Sequence, residues 1–126
     1  MAQSRPPSPP PVVLVVEDEA LLRMAAVDMV EDAGFVALEA ADATEAVRLL
    51  ETRLDIRIVF TDIDMPRGLD GLRLAALVRD RWPPIEIIVT SGKAHPHQAD
   101  LPPGSRFFSK PYRPHAVVDA MRVMAG

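Results

Sequence analysis

The sequence predicts an α/β domain built on a parallel sheet with helices on both faces. Three observations carry this. Short apolar runs alternate with helix-period segments five times, and the connections between them are a few residues long. The run at 12–16 is β-branched and uninterrupted, and Ile58, Val59 and Phe60 within 56–61 have the composition of a strand buried on both faces; a third run spans 85–90. Each of these runs ends in a carboxylate or hydroxyl, at the rim where open parallel sheets bind ligands.

Residues 1–11 precede this pattern. Five are proline and only Arg5 is charged, so the segment is expected to be an extended or disordered tail, with the domain proper at 12–126. Val12 to Val16 is the first strand, ending in Glu17-Asp18-Glu19. Helix follows over residues 19–33, where Leu22, Ala25, Ala26, Met29, Val30 and Ala33 form an apolar face; Arg23, Asp28, Glu31 and Asp32 take the wet side. Gly34 suits a helix C-terminal cap. A weaker strand spans 35–39. Asp42 and Glu45 form an N-cap pair for a second helix with Ala43, Ala46, Val47 and Leu50 inward.

The central strand, 56–61, runs into Asp62. A loop with Pro66, Gly68, Asp70 and Gly71 leads to a helix over 71–82, with Leu74, Ala75 and Val78 inward. Pro83-Pro84 ends it. The fourth strand is 85–90, closing on Thr90-Ser91. Between Gly92 and Gly104 three prolines break the pattern, and only a short helix around 94–100 is expected. The fifth strand is 106–109. Pro114 suits the first turn of a final helix, with Val117, Val118, Met121 and Met124 inward.

The totals bound the function. A chain of 126 residues with 48% hydrophobic content is one globular domain. The net charge of −4 argues against a nucleic-acid-binding surface. No cysteine is present, which excludes disulfides and thiolate metal sites. No apolar run approaches the roughly 20 residues that span a bilayer, and no signal-peptide pattern appears; a cytoplasmic protein is expected. The histidines at 95, 97 and 115 lack metal-ligand spacing, and the methionines read as core filler.

If the first and third strands are neighbours, Glu17, Asp18 and Asp62 meet at one rim. Clustered carboxylates repel and stay ionised only with a cation. An all-oxygen set favours Mg²⁺ or Ca²⁺, and the number of groups suits Mg²⁺. Glu19 reads instead as a helix-start acid favoured by the macrodipole. A carboxylate is also a possible nucleophile in phosphoryl transfer. Lys110, after the fifth strand, supplies a point charge, and Thr90 a hydroxyl, at the same rim.

Taken together, Val15-Val16-Glu17-Asp18-Glu19, Thr61-Asp62-Ile63-Asp64-Met65-Pro66, Asp70-Gly71, Val89-Thr90-Ser91 and Lys110-Pro111-Tyr112 resemble the receiver domain of response regulators, in particular the CheY-like single-domain type. The resemblance covers residues 12 to 124. It implies a flavodoxin-like (βα)5 doubly wound sheet in the order 2-1-3-4-5, and Asp62 as acceptor of a phosphoryl group from a histidine kinase or histidine phosphotransfer protein. It implies Mg²⁺ on Glu17, Asp18, Asp62 and the backbone carbonyl of Asp64, Lys110 as phosphate partner, and a switch of Thr90 and Phe107 that controls an output protein. It also implies a cis bond before Pro111.

The chain departs from the family pattern in three places. Glu17 stands where aspartate is commoner, the loop before Gly71 is one residue longer, and the fourth helix is short or irregular. Two other readings compete. The Asp62-Ile63-Asp64 triplet resembles haloacid-dehalogenase-type phosphatases, which need a further late acidic motif; the chain also fits a receiver module cut from a hybrid kinase or larger regulator.

Overall fold

The computed structural model describes residues 9–65, 71–92 and 101–126. Most of the expected tail, the loop at 66–70 and the expected short helix at 94–100, with His95 and His97, lie outside the described residues. Among those described, the elements are β1 (Val12–Val16), α1 (Ala20–Asp32), β2 (Val36–Ala40), α2 (Ala43–Thr52), β3 (Ile56–Asp62), α3 (Gly71–Arg81), β4 (Glu86–Ser91), β5 (Arg106–Ser109) and α4 (Pro114–Ala125). The five strands form one sheet in the order β2-β1-β3-β4-β5, and every pairing is parallel. This is the doubly wound, flavodoxin-like arrangement that the sequence predicts.

Side-chain alternation divides the core in two. Leu14, Val16, Val59, Ile87 and Val89 face α2 and α3, packing on Ala46, Leu50, Leu74 and Val78. Val13, Val15, Ile58, Phe60 and Ile88 face α1 and α4, packing on Ala26, Val30, Val117 and Met121. Strict alternation would put Ile56 and Ile58 on one face. A register shift between β1 and β3 prevents this: Val12 pairs with Ile56, but Val13 pairs with Ile58. Arg57 is the extra residue of this bulge. Its side chain is exposed, and its guanidinium donates to the Ala125 carbonyl at 3.1 Å.

The helix ends follow local chemistry. Asp42 Oδ1 accepts from the Glu45 amide at 2.8 Å, and Glu45 Oε1 accepts from the Ala41 amide at 3.3 Å. This reciprocal cap fixes where α2 starts. Gly34, at φ +93°, turns the chain from α1 into β2 as expected. The inward faces predicted for α2, α3 and α4 are the buried ones, with Val47 and Met124 only partly covered. The face predicted for α1 is too wide. Only Ala26 and Val30 are fully buried, while Leu22 and Ala25 are exposed. The first turns of α1 border a cavity that separates Leu22 and Ala25 from full packing on Val15 and Phe60 of the sheet.

Gly71 sets how closely α3 approaches the end of β3. A Cβ at this position would meet the Asp62 carbonyl and would lie 2.6 Å from the Ile63 Cα. Both obstacles are backbone and cannot swing aside. Gly71→Ala is therefore expected to destabilise the fold by about 1–3 kcal/mol, read as a lower urea midpoint with an unchanged m-value.

Candidate functional site

The parallel register brings the polar strand ends to one rim. Val16 pairs with Thr61, so Glu17 and Asp62 leave adjacent strands at the same level. Asp62 pairs with Thr90, and Ser91 with Ser109, which puts Lys110 one residue beyond β5 at the same rim. Backbone bonds continue the ladder there: the Ile63 amide donates to the Thr90 carbonyl at 2.9 Å, and the Lys110 amide to the Ser91 carbonyl at 2.9 Å. The Lys110–Pro111 peptide is cis.

Glu17 and Asp62 are buried, at 6% and 4% exposure. A single ammonium bridges them: Lys110 Nζ lies 3.0 Å from Glu17 Oε1 and 3.1 Å from Asp62 Oδ2. Asp18 is exposed, yet Glu17, Asp18 and Asp62 each offer a carboxylate oxygen within 4.8 Å of the others. Three hard oxygen donors around one point fit Mg²⁺. Asp62 Oδ1 also accepts from the Asp64 amide at 3.0 Å, which folds the chain tightly over the acidic group.

Burial pushes the Glu17 carboxyl up to about 7 from an ordinary value of 4.5; the Lys110 hydrogen bond opposes the rise and the Asp62 charge adds to it. Burial works against the Lys110 ammonium, but hydrogen bonds to Glu17 and Asp62 outweigh it and hold its pKa above the usual lysine value.

Two side chains have placements the sequence reading missed. Asp64 was expected to contribute its carbonyl; its carboxylate is also engaged. Both oxygens accept from Ser91 Oγ at 2.9 Å, and Oδ2 accepts from the Gly92 amide at 2.9 Å. Arg23, assigned to the wet side of α1, instead turns toward the acidic turn. Its Nη1 donates to the Glu17 carbonyl at 2.9 Å, and its Nε to Glu39 Oε1 at 3.0 Å. A bare charge at a helical position carries no signal of either contact.

A cavity of about 360 Å³ opens beside the acidic group, between α1 and the segment after β5. Glu17, Asp62, Thr90 and Lys110 line its polar end; Phe60 and Tyr112 line its apolar body. The two rings meet edge to face at 5.7 Å between centroids. Phe107 pairs with Val89 in the sheet, one residue from Thr90, and is half-buried against the α2/α3 side of the core.

The raised Glu17 pKa has a consequence for stability. Between about pH 4.5 and 7 the folded chain keeps a proton that the unfolded chain has released, so this group's stabilisation is full below 4.5 and is lost as pH rises through 7. Metal-free protein is expected to lose on the order of 2–3 kcal/mol between pH 4.5 and 8 relative to Glu17→Gln. Urea denaturation of both proteins across that range, in EDTA, checks this.

Comparison with known proteins agrees with the fold and the rim. Residues 13–122 match the response regulator receiver domain. The chain is 36% identical over 97 residues to the sensor kinase CckA of Brucella abortus (strain 2308), covering 75% of this chain and 10% of that protein. It is 38% identical over 78 residues to the transcriptional regulatory protein PdtaR of Mycobacterium tuberculosis (strain CDC 1551 / Oshkosh), covering 60% of this chain and 37% of that protein. The chain thus spans well under half the length of these curated relatives. The crystal structure of a response regulator receiver protein from Sinorhizobium medicae WSM419 superposes with a TM-score of 0.85 at 27% identity, covering 91% of this chain and 94% of that one. A match running from β1 to α4 leaves no support for the haloacid-dehalogenase-type reading. The chain belongs to the response regulator receiver domain family of two-component systems.

Proposed function

We propose that Asp62 is the phosphoacceptor, taking a phosphoryl group from the phosphohistidine of a histidine kinase or histidine phosphotransfer protein. The observation that carries the reading is the buried Asp62 carboxylate at the end of the central strand, bridged by Lys110 to Glu17 and paired in the sheet with Thr90. In the transfer an Asp62 oxygen attacks phosphorus in line, the phosphorus–nitrogen bond breaks, and the donor imidazole leaves with the bonding pair. Glu17, Asp18, Asp62 and the Asp64 carbonyl would hold Mg²⁺, which when bound supplies positive charge to the phosphoryl oxygens. Lys110 exchanges its carboxylate partners for a phosphoryl oxygen. The Thr90 hydroxyl donates to another oxygen and draws inward, and Phe107 follows into the space it leaves. This biases a two-state equilibrium that an output protein reads. Water attack on the aspartyl phosphate resets it, so the chain is a self-modifying acceptor and not a turnover enzyme.

Residues 12–126 act as the receiver unit and 1–11 as a tail. The net charge of −4 favours a protein partner over nucleic acid. Among the described residues no helix is long and apolar enough to cross a membrane, and the supply of phosphohistidine proteins makes the cytoplasm the proposed location.

Intact mass after incubation with acetyl phosphate and Mg²⁺ tests the assignment. One added phosphoryl group is expected in the wild type, and none in Asp62→Asn or without Mg²⁺. An adduct that persists in Asp62→Asn, or steady turnover of a phosphate ester, would sink it. Lys110→Ala is expected to keep Mg²⁺ binding while slowing phosphorylation about 10²-fold, the usual cost of removing a charge aimed at the transferring group; the time course of the mass shift measures this.

A further inference from the structure

We propose that Arg23 is a positioning residue for the cation site, a clamp that fixes the Glu17–Asp18–Glu19 turn from outside. The inference rests on the reading of that turn as the Mg²⁺-binding segment.

The turn must hold three acidic side chains against their mutual repulsion. The Glu17 amide donates to the Ala40 carbonyl at 3.1 Å, and the Glu19 amide to Glu17 Oε2 at 3.3 Å. Glu19 occupies the N-cap position of α1 without a side-chain cap bond. Arg23 supplies what is missing. It stands one turn into α1, where its amide donates to the Glu19 carbonyl at 2.9 Å. Its Nη1 holds the Glu17 carbonyl at 2.9 Å, and its Nε is anchored by Glu39 on β2 at 3.0 Å. One guanidinium therefore ties α1, the acidic turn and β2 together. The Arg23 side chain is only 19% exposed, whereas Glu39 is 55% exposed, so the clamp is turned inward on the turn side. A planar fork that spends separate donors on two acceptors is something lysine cannot reproduce.

The charge of Arg23 gives the proposal a decisive sign. A guanidinium bound to the Glu17 carbonyl repels a cation held by the Glu17 carboxylate. By charge alone, Arg23→Ala should tighten Mg²⁺ binding. If Arg23 acts by positioning, the same substitution should weaken binding, because groups that orient metal ligands commonly contribute tenfold or more to affinity. The two accounts cannot both hold.

Calorimetric Mg²⁺ titration tests this on the full chain. Mg²⁺ affinity is expected to fall about tenfold in Arg23→Ala. Arg23→Lys, which keeps the charge but loses the fork, should fall between the two. Glu39→Ala should weaken binding in the wild-type background and add no further loss to Arg23→Ala, since both remove one clamp. Amide hydrogen exchange at Asp18 and Glu19 should quicken in metal-free Arg23→Ala while β1 stays protected. Glu39→Ala, a change at an exposed strand position, keeps the test open should Arg23→Ala fold poorly. Affinity in Arg23→Ala equal to or tighter than wild type, with the wild type binding Mg²⁺, overturns the clamp alone. A wild type that binds no Mg²⁺ overturns the clamp together with the reading of the acidic turn.

Discussion

Two buried carboxylates share one ammonium, and much of the molecule follows from that imbalance. Glu17 and Asp62 come from adjacent strands, and Lys110 reaches both from the far side of β4. Taking like charges out of water is costly, and one cation can compensate only part of the cost. Burial first, and the Asp62 charge after it, raise the Glu17 pKa. A site of this kind is left incompletely neutralised by its own residues, so a bound cation would relieve a strain already present in the fold. The sheet order is what permits it: β1 and β3 are adjacent, with β4 and β5 beyond.

The surrounding packing holds that arrangement still. The bulge at Arg57 lets Ile56 and Ile58 serve opposite layers, so β3 stays buried on both faces up to Asp62. Gly71 lets α3 close against the Asp62 backbone from one side. Phe60 and Tyr112 support the segment that carries Lys110 from the other. The acidic group therefore sits on rigid elements, and its exposed member, Asp18, belongs to the turn between β1 and α1.

Much of this was legible in the sequence, for definite reasons. β1 (Val12–Val16) and the centres of β3 (Ile58 to Phe60) and β4 (Ile87 to Val89) are continuous apolar runs because both their faces are covered, and such runs have few other readings. Asp42 and Glu45 announce α2 through their spacing. The rim residues could be identified because each follows a strand directly, and a parallel sheet has only one carboxyl edge. What could not be read was lateral. The width of the α1 face was overstated because periodicity reports which residues share a side, not whether anything lies beneath them; Leu22 and Ala25 border a cavity. Arg23 and Asp64 were misjudged or half-read because their partners, Glu39 and Ser91, are 16 and 27 residues away. Polar contacts across elements leave no periodic trace.

The Asp64 carboxylate has one more implication. By accepting from Ser91 and Gly92, it joins the chain just past Asp62 to the chain just past Thr90. Separating these two segments would mean breaking charge-assisted hydrogen bonds, each worth about 1.5–3 kcal/mol. The chain after β3 and the end of β4 are thus fastened into one lever instead of two hinges. A push delivered at either end is felt at the other, and intermediate shapes in which one has moved without its neighbour are thinned from the ensemble.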